Sequence, residues 1–230
     1  MAELSIIIPC LNEEKGIVFF LSRLQKLRWH CELILVDGQS NDETVALAKA
    51  YVDRCVISEP GRAKQMNAGA EVAQSEILLF LHADTFLPES ATVQIQSAIE
   101  TGYQWGRFDV RLMGQHFLLP IIALLMNARS ALTHIVTGDQ ALFVTRDLFN
   151  RVGQFPDIAL MEDIALSKQL KSFAKPYRLR HCVETSARRW VELGVIKTVV
   201  LMLWCRLQYF FGADPDYLSQ LYRRGQFWIR

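Results

Sequence analysis

Three apolar runs in the first half of this chain end in polar segments that carry acidic residues. Ser5–Ile8 leads into Pro9-Cys10-Leu11-Asn12-Glu13, and Glu32–Val36 leads into Asp37-Gly38-Gln39-Ser40-Asn41-Asp42. Ile77–Leu81 leads into His82-Ala83-Asp84-Thr85. One carboxylate at such a place is an ordinary turn or cap residue. The same arrangement three times points to a shared site built from Glu13, Asp37 and Asp84. Gathered carboxylates raise one another's pKa unless something compensates. A divalent cation is the simplest compensation, and Mg²⁺ or Mn²⁺ suits carboxylate and phosphate oxygens. The Gly-rich segment Gly61-Arg62-Ala63-Lys64-Gln65-Met66-Asn67-Ala68-Gly69 offers two cations to a diphosphate, with a solvated loop as the plain alternative. No GxxxxGK[ST] run is present, and no GxGxxG follows the first apolar run. The ligand expected is a nucleotide held by carboxylates and a metal.

These residues need a scaffold that brings strand ends together. Ser5–Ile8, Glu32–Val36, Cys55–Ser58 and Ile77–Leu81 are short, continuous apolar runs. Helix-like pieces alternate with them: Glu14–Leu27, a segment to Tyr51 capped by Asn41 or Asp42, and a helix entered through Gly61–Ala73. Fully apolar strands separated by helices predict an α/β fold of Rossmann-like kind, with a mostly parallel sheet covered on both faces. In such a sheet ligands bind beyond the carboxyl ends of the strands. Thr137–Val144 reads as a further strand and Asp163–Leu170 as a helix. The division expected is a catalytic domain over 1–190 and an apolar helical segment over 191–230.

The 230 residues suffice for one well-buried domain. A net charge of +1 gives no sign of a nucleic-acid partner. Five cysteines without a CxxC pair argue against a zinc knuckle, and Cys10 and Cys31 read as small core residues. The chain runs straight into a strand-like segment, so the expected setting is reducing and cytoplasmic. Phe117–Met126 and Val195–Phe211 are apolar stretches. The first is too short to span a bilayer, and charges interrupt the second. Three occupants suit them: a membrane surface at the inner face of the cell membrane, a homodimer interface, or the domain's own core.

The ordered set of motifs resembles family 2 glycosyltransferases over nearly the whole chain. Ile6-Ile7-Ile8-Pro9-Cys10-Leu11-Asn12-Glu13-Glu14 resembles the family's opening, and Val36–Thr44 its second nucleotide motif. His82-Ala83-Asp84 occupies the place of its DxD motif. Met161-Glu162-Asp163 resembles its acidic pair, and Ser186-Ala187-Arg188-Arg189-Trp190 its (Q/R)xxRW element. The chain is most similar to a small bacterial subgroup with His-Ala-Asp-Thr at the DxD position and a Gly-Asp-Gln element, here Gly138-Asp139-Gln140.

The resemblance implies a GT-A fold and an inverting, hexosyltransferase-like enzyme using a nucleoside-diphosphate sugar. By the same resemblance Pro9, Asn12, Glu13 and Asp37 would hold base and ribose, with Ser40, Asp42, Arg62, Lys64 and Asn67 nearby. Asp84 would bind Mg²⁺ or Mn²⁺, and Asp163 would be the general base. Asp139, Gln140, Glu162, Arg188, Arg189 and Trp190 would shape the acceptor and diphosphate region. His82 departs from the family's acidic first position. The acceptor, lipid-linked or otherwise, is not specified. A non-catalytic sugar-nucleotide-binding subunit is the alternative from another class, and a nucleotidyltransferase is disfavoured because the first strand end lacks a Gly-rich, Arg-containing loop.

Overall fold

In the computed structural model, residues 3–228 are described, apart from the side chains of Arg189 and Glu192. Among the described residues eight strands form one sheet: β1 (Leu4–Cys10), β2 (Cys31–Asp37), β3 (Arg54–Ile57), β4 (Ile77–Phe80), β5 (Thr85–Phe86), β6 (Trp105–Met113), β7 (Leu142–Thr145) and β8 (Tyr177–Ser186). Their order is β3-β2-β1-β4-β7-β6-β8-β5. The first four run parallel, as the apolar runs predict, and β6 pairs parallel with β8. Antiparallel pairings join β4 to β7, β7 to β6 and β8 to β5.

The helices are α1 (Ile17–Leu24), α2 (Thr44–Ala48), α3 (Arg62–Val72), α4 (Ala91–Glu100), α5 (Leu119–Thr133), α6 (Arg146–Arg151), α7 (Glu162–Phe173), α8 (Arg188–Leu193), α9 (Val195–Phe210) and α10 (Pro215–Arg224). Every residue of β1 and β2 is buried, because helices cover both faces. Side chains alternate between the two cores with the period of a strand. Ile6, Ile8, Leu33 and Leu35 meet Ile17, Phe20 and Leu21 of α1 on one face. Ile7, Ile34 and Val36 meet Ala63, Met66 and Ala70 of α3 on the other. Helix α3 lies so close that a Cβ on Gly69 would sit 2.4 Å from Ile7 Cγ2 and 2.9 Å from Val36 Cγ2.

The second half of the sheet is held by buried charge. Arg107 and Asp109 of β6 form a buried ion pair, and Arg178 of β8 closes on the same carboxylate at 2.7 Å. Arg107 also donates to the Asn127 carbonyl of α5, while the Asn127 amide bonds both backbone groups of Val110. These contacts seat α5 on β6.

Two features differ from the sequence-based expectation. Thr137–Val144 is not one strand: Gly138–Gln140 forms a 3₁₀ turn capped by Thr137, and β7 starts at Leu142. Neither Asn41 nor Asp42 is the residue next to α2, which follows Glu43, although Asp42 Oδ1 accepts from the Thr44 amide. Residues beyond 190 pack on the rest of the chain, one of the three arrangements expected for them. Trp190 and Val195 join the main core, and Leu201, Cys205, Leu218 and Leu221 pack with Met161 and Ile164.

Gly69→Ala is expected to destabilise the fold by about 1–3 kcal/mol, because the added methyl meets close-packed strand side chains. Urea denaturation of the variant beside the wild type measures the difference.

Candidate functional site

A crevice of about 970 Å³ opens beyond the carboxyl ends of β1 and β4. One wall carries Pro9, Cys10 and Glu13, and another carries His82 and Asp84. The start of α3 supplies Arg62, Lys64 and Gln65, and its N-terminal amides favour an anion there. Gln65 Nε2 donates to the carbonyls of Cys10 and Val36 at 2.7 and 2.8 Å, fixing the ends of β1 and β2 together. The last wall is α10, through Asp216, Ser219, Tyr222 and Arg223. A smaller cavity of about 90 Å³ shares Arg62, His82, Glu162 and Tyr222 with the crevice and adds Asp139, Asp163 and Arg206.

The chain bends sharply to deliver the acidic pair. Met161 is buried with φ 73°, a left-handed conformation that a side chain tolerates only at some cost. The bend lets Glu162 and Asp163 open α7, whose N-terminus favours negative charge. Asp163 accepts from the Gly138 amide at 2.9 Å and from the Ile164 amide at 2.7 Å. Gly138 also lies against the His82 ring, where a Cβ would come within 2.2 Å. His82 Nδ1 in turn stands 3.7 Å from Asp139 Oδ1. One turn therefore aligns His82, Asp139 and Asp163.

Electrostatics follow from this crowding. Glu162 is raised from 4.5 to about 7, first by burial and then by the charge of Asp163, against the pull of Arg62 and His82. Burial also raises Glu13, with Arg188 opposing and Asp84 adding to the rise. The crevice walls desolvate the Arg62 charge although the residue itself is exposed, but Glu162, Tyr222, Asp139 and Asp163 more than restore it. Burial opposes ionisation of Asp139, yet its hydrogen bond and attraction to His82 hold it below the usual carboxylate range.

The structure brings together Pro9, Glu13, Arg62, Lys64, Asp84 and Glu162 around the crevice, with Asp139 and Asp163 beside it. Arg188 reaches Glu13 at 4.0 Å. Other expected residues do different work. Asn67 spends both amide atoms on the Phe155 backbone, at 2.8 and 3.1 Å. Asp37 is 1% exposed and accepts from the Ser40 amide and hydroxyl. Asn12 and Asp42 lace the first two strand ends together through Asn41 and Glu14. Gln140 is fully buried in its capping box, and Trp190 lies in the core. The Arg189 side chain lies outside the described part. Gln65, Tyr222 and Arg223 were not expected at the site. Only the Gly-rich context of Gln65 pointed towards it, and nothing in the sequence joined α10 to the first strand.

The family model for glycosyl transferase family 2 matches residues 5–143. The chain belongs to this family. A PGL/p-HBAD biosynthesis glycosyltransferase of Mycobacterium tuberculosis is 37% identical over 180 residues, covering 66% of this chain and 62% of the relative. The chain thus spans less than two thirds of that relative's length. Among solved structures, the mannosyltransferase PcManGT of Pyrobaculum calidifontis, in complex with GDP-Man and Mn²⁺, superposes with a TM-score of 0.66 at 16% identity, over 96% of this chain and 68% of that one. Glucosyl-3-phosphoglycerate synthase of Mycobacterium tuberculosis, with Mg²⁺ and UDP, gives a TM-score of 0.60 at 19% identity, over 80% and 70%. These likenesses establish a GT-A fold.

A raised Glu162 binds its proton more tightly in the folded chain than in the unfolded one. Its contribution is full below pH 4.5 and is lost as the pH rises through about 7. Glu162→Gln is therefore expected to gain stability over the wild type across that window, on the order of 2–3 kcal/mol. Thermal denaturation of both proteins at stepped pH tests this, and a constant difference would count against the shift.

Proposed function

We propose that the chain transfers a hexosyl group from a nucleoside-diphosphate sugar to an acceptor hydroxyl with inversion at the anomeric carbon. The observation that carries this reading is the pairing of spaces. A crevice with carboxylates and cations adjoins a small cavity holding Asp163, and the two meet at Arg62, His82 and Glu162. Nucleotide and diphosphate suit the first space. The acceptor hydroxyl suits the boundary with the second. The solved neighbours with GDP-Man or UDP support the same donor class.

The donor set fits Mg²⁺ or Mn²⁺. Among the described residues no three ligating side chains cluster. Mg²⁺, however, commonly takes one or two carboxylates and completes its shell with phosphate oxygens and water. Asp84 lines the crevice near enough to Glu13 to raise it, so Asp84 with Glu13 beside it would hold the ion. When bound, the cation would neutralise charge developing on the leaving diphosphate. Arg62, Lys64 and Arg188 would add preorganised positive charge on the protein side. We read His82 as filling the first position of the family's DxD element, held by Asp139.

In this reading, the acceptor oxygen bonds to the anomeric carbon as the bond to the diphosphate breaks, and Asp163 takes the acceptor proton. Its two backbone hydrogen bonds fix where that carboxylate stands. General-base assistance of this kind is typically worth about 10²–10⁴ in rate.

The acceptor belongs near a membrane surface. Helix α5 exposes Ile121, Leu124, Leu125 and Leu132, and α9 exposes Ile196, Leu203, Trp204 and Phe210. No Asp or Glu occurs from residue 110 to 138 or from 193 to 213. Apolar side chains with only basic charge among them suit an anionic lipid interface. No described helix is long and apolar enough to cross a membrane.

A thermal-shift screen of nucleoside diphosphates with and without Mn²⁺ tests the donor site. One nucleotide is expected to stabilise the chain in a metal-dependent way, and Asp84→Asn should remove that dependence. Asp163→Asn should cut turnover about 10²–10⁴-fold while nucleotide binding stays intact. Normal turnover in that variant refutes the base assignment. Leu203→Ser with Phe210→Ser should weaken co-sedimentation with vesicles rich in anionic lipid. A stable dimer in solution that these changes dissociate would assign the face to self-association instead.

A further inference from the structure

Among the described residues five border both the crevice and the small cavity: Arg62, His82, Leu160, Glu162 and Tyr222. Three of these are polar or charged, so Leu160 and Tyr222 supply the apolar surface at the boundary. The chain has 13 Phe, 6 Tyr and 5 Trp. Tyr222 is the sole one of them, among the described residues, that lines either space. It is half-buried, and its place is set by what lies beneath it. Leu218 stands one turn earlier on the same face of α10, and Leu221 is the adjacent residue. Both are fully buried in a cluster with Met161 and Ile164. The aromatic ring is therefore mounted on the same packing that fixes the start of α7, where Glu162 and Asp163 stand. Gly225 closes α10 with φ 63°, and this end of the helix rests against Leu193.

We propose that Tyr222 forms the sugar subsite, with the hexosyl ring of the donor lying face-on against its phenol ring. The inference rests on the glycosyl-transfer reading and deepens it, through a residue outside the segment 5–143 that the family model matches. A hexose carries hydroxyls around its rim and C–H groups on its two faces. The faces gain from leaving water only against apolar surface, and a flat aromatic ring offers that with little conformational freedom to lose. The rim hydroxyls need hydrogen-bond partners, and Arg62, His82 and Glu162 border the same space. Position decides between sugar and base. Pro9, Cys10, Lys64 and Gln65 line the crevice alone, whereas Tyr222 also borders the cavity that holds Asp163. In the transfer the anomeric carbon lies between the leaving diphosphate and the acceptor oxygen beside Asp163. The sugar must therefore occupy the boundary at which Tyr222 stands. Contact along one face fixes the direction in which the anomeric carbon points.

Isothermal titration of the full chain with UDP, GDP, UDP-glucose and GDP-mannose, in the presence of Mn²⁺, tests this. Tyr222→Ala is expected to weaken the nucleotide sugar that binds the wild type by about tenfold or more, or about 1.4 kcal/mol, while the matching nucleoside diphosphate changes by less than about twofold. Tyr222→Phe keeps the ring and is expected to hold that nucleotide sugar within about threefold of the wild type. Tyr222→Leu keeps apolar bulk for docking α10 but no flat ring, and it is expected to show the same split if the Ala variant does not fold. Equal losses for nucleotide sugar and nucleoside diphosphate would make Tyr222 a wall of the nucleotide site or a structural residue, and would overturn the proposal. No loss for either ligand also overturns it and leaves the donor reading standing. A wild-type chain that binds none of the four ligands faults the donor reading itself, and the sugar subsite with it.

Discussion

The approach of Gly138 to the His82 ring is the contact on which the site's geometry depends. Only a residue without a Cβ allows it, since the nearest ring carbon would otherwise lie 2.2 Å away. The contact brings the backbone amide of the same glycine to Asp163 and leaves Asp139 facing the imidazole. Thr137 and the buried Gln140 hold the turn from below, through a capping box and a hydrogen bond from Gln140 to Asn127. Asn127 also clasps Val110 of β6, so the turn is tied to the sheet as well as to α5 and α7. A shift of a few tenths of an ångström at this glycine would reach three ionisable groups at once.

Buried charge has two different uses in this molecule. The Arg107–Asp109–Arg178 group is saturated with hydrogen bonds, and it serves to lock β6, β8 and α5 together. Removing Arg107 or Asp109 would strand the other, buried member of that pair away from water. Near the crevice, charges are crowded without such saturation. Glu162 is pushed towards neutrality by burial and Asp163, while Arg62 draws on several acidic neighbours. The first arrangement sets shape, and the second shifts the proton affinities of its groups.

The first four strands were legible because each is a continuous apolar run, and their parallel order placed Glu13 and Asp84 on one crevice. Strands β6 and β8 were not legible, although they form the longest pairing of the sheet. Arg107, Asp109 and Arg178 interrupt their apolar pattern, and the ion pairs that excuse those charges exist only after folding. Asn67 illustrates a related limit. The family resemblance placed it near the nucleotide, yet a loop 88 positions further on takes up its amide. The apolar stretches at Phe117–Met126 and Val195–Phe211 left open whether they pack inward or outward. They do both, since α5 buries Leu119, Ile122, Ala123 and Met126 and exposes its other face, and α9 does likewise.

Helix α10 gives the crevice a wall from the far end of the chain. Tyr222 and Arg223 face residues that follow the first strand, and Leu218 and Leu221 anchor them on α9. More than two hundred residues of sequence therefore separate two sides of one crevice. During synthesis the N-terminal half can collapse around its four parallel strands long before α10 emerges from the ribosome. A nascent chain at that stage presents Glu13, Arg62 and Asp84 on an open floor with no opposing wall. The enclosed crevice comes into being only when residue 223 has been added and its helix has docked, so translation orders the fold first and the closed site last.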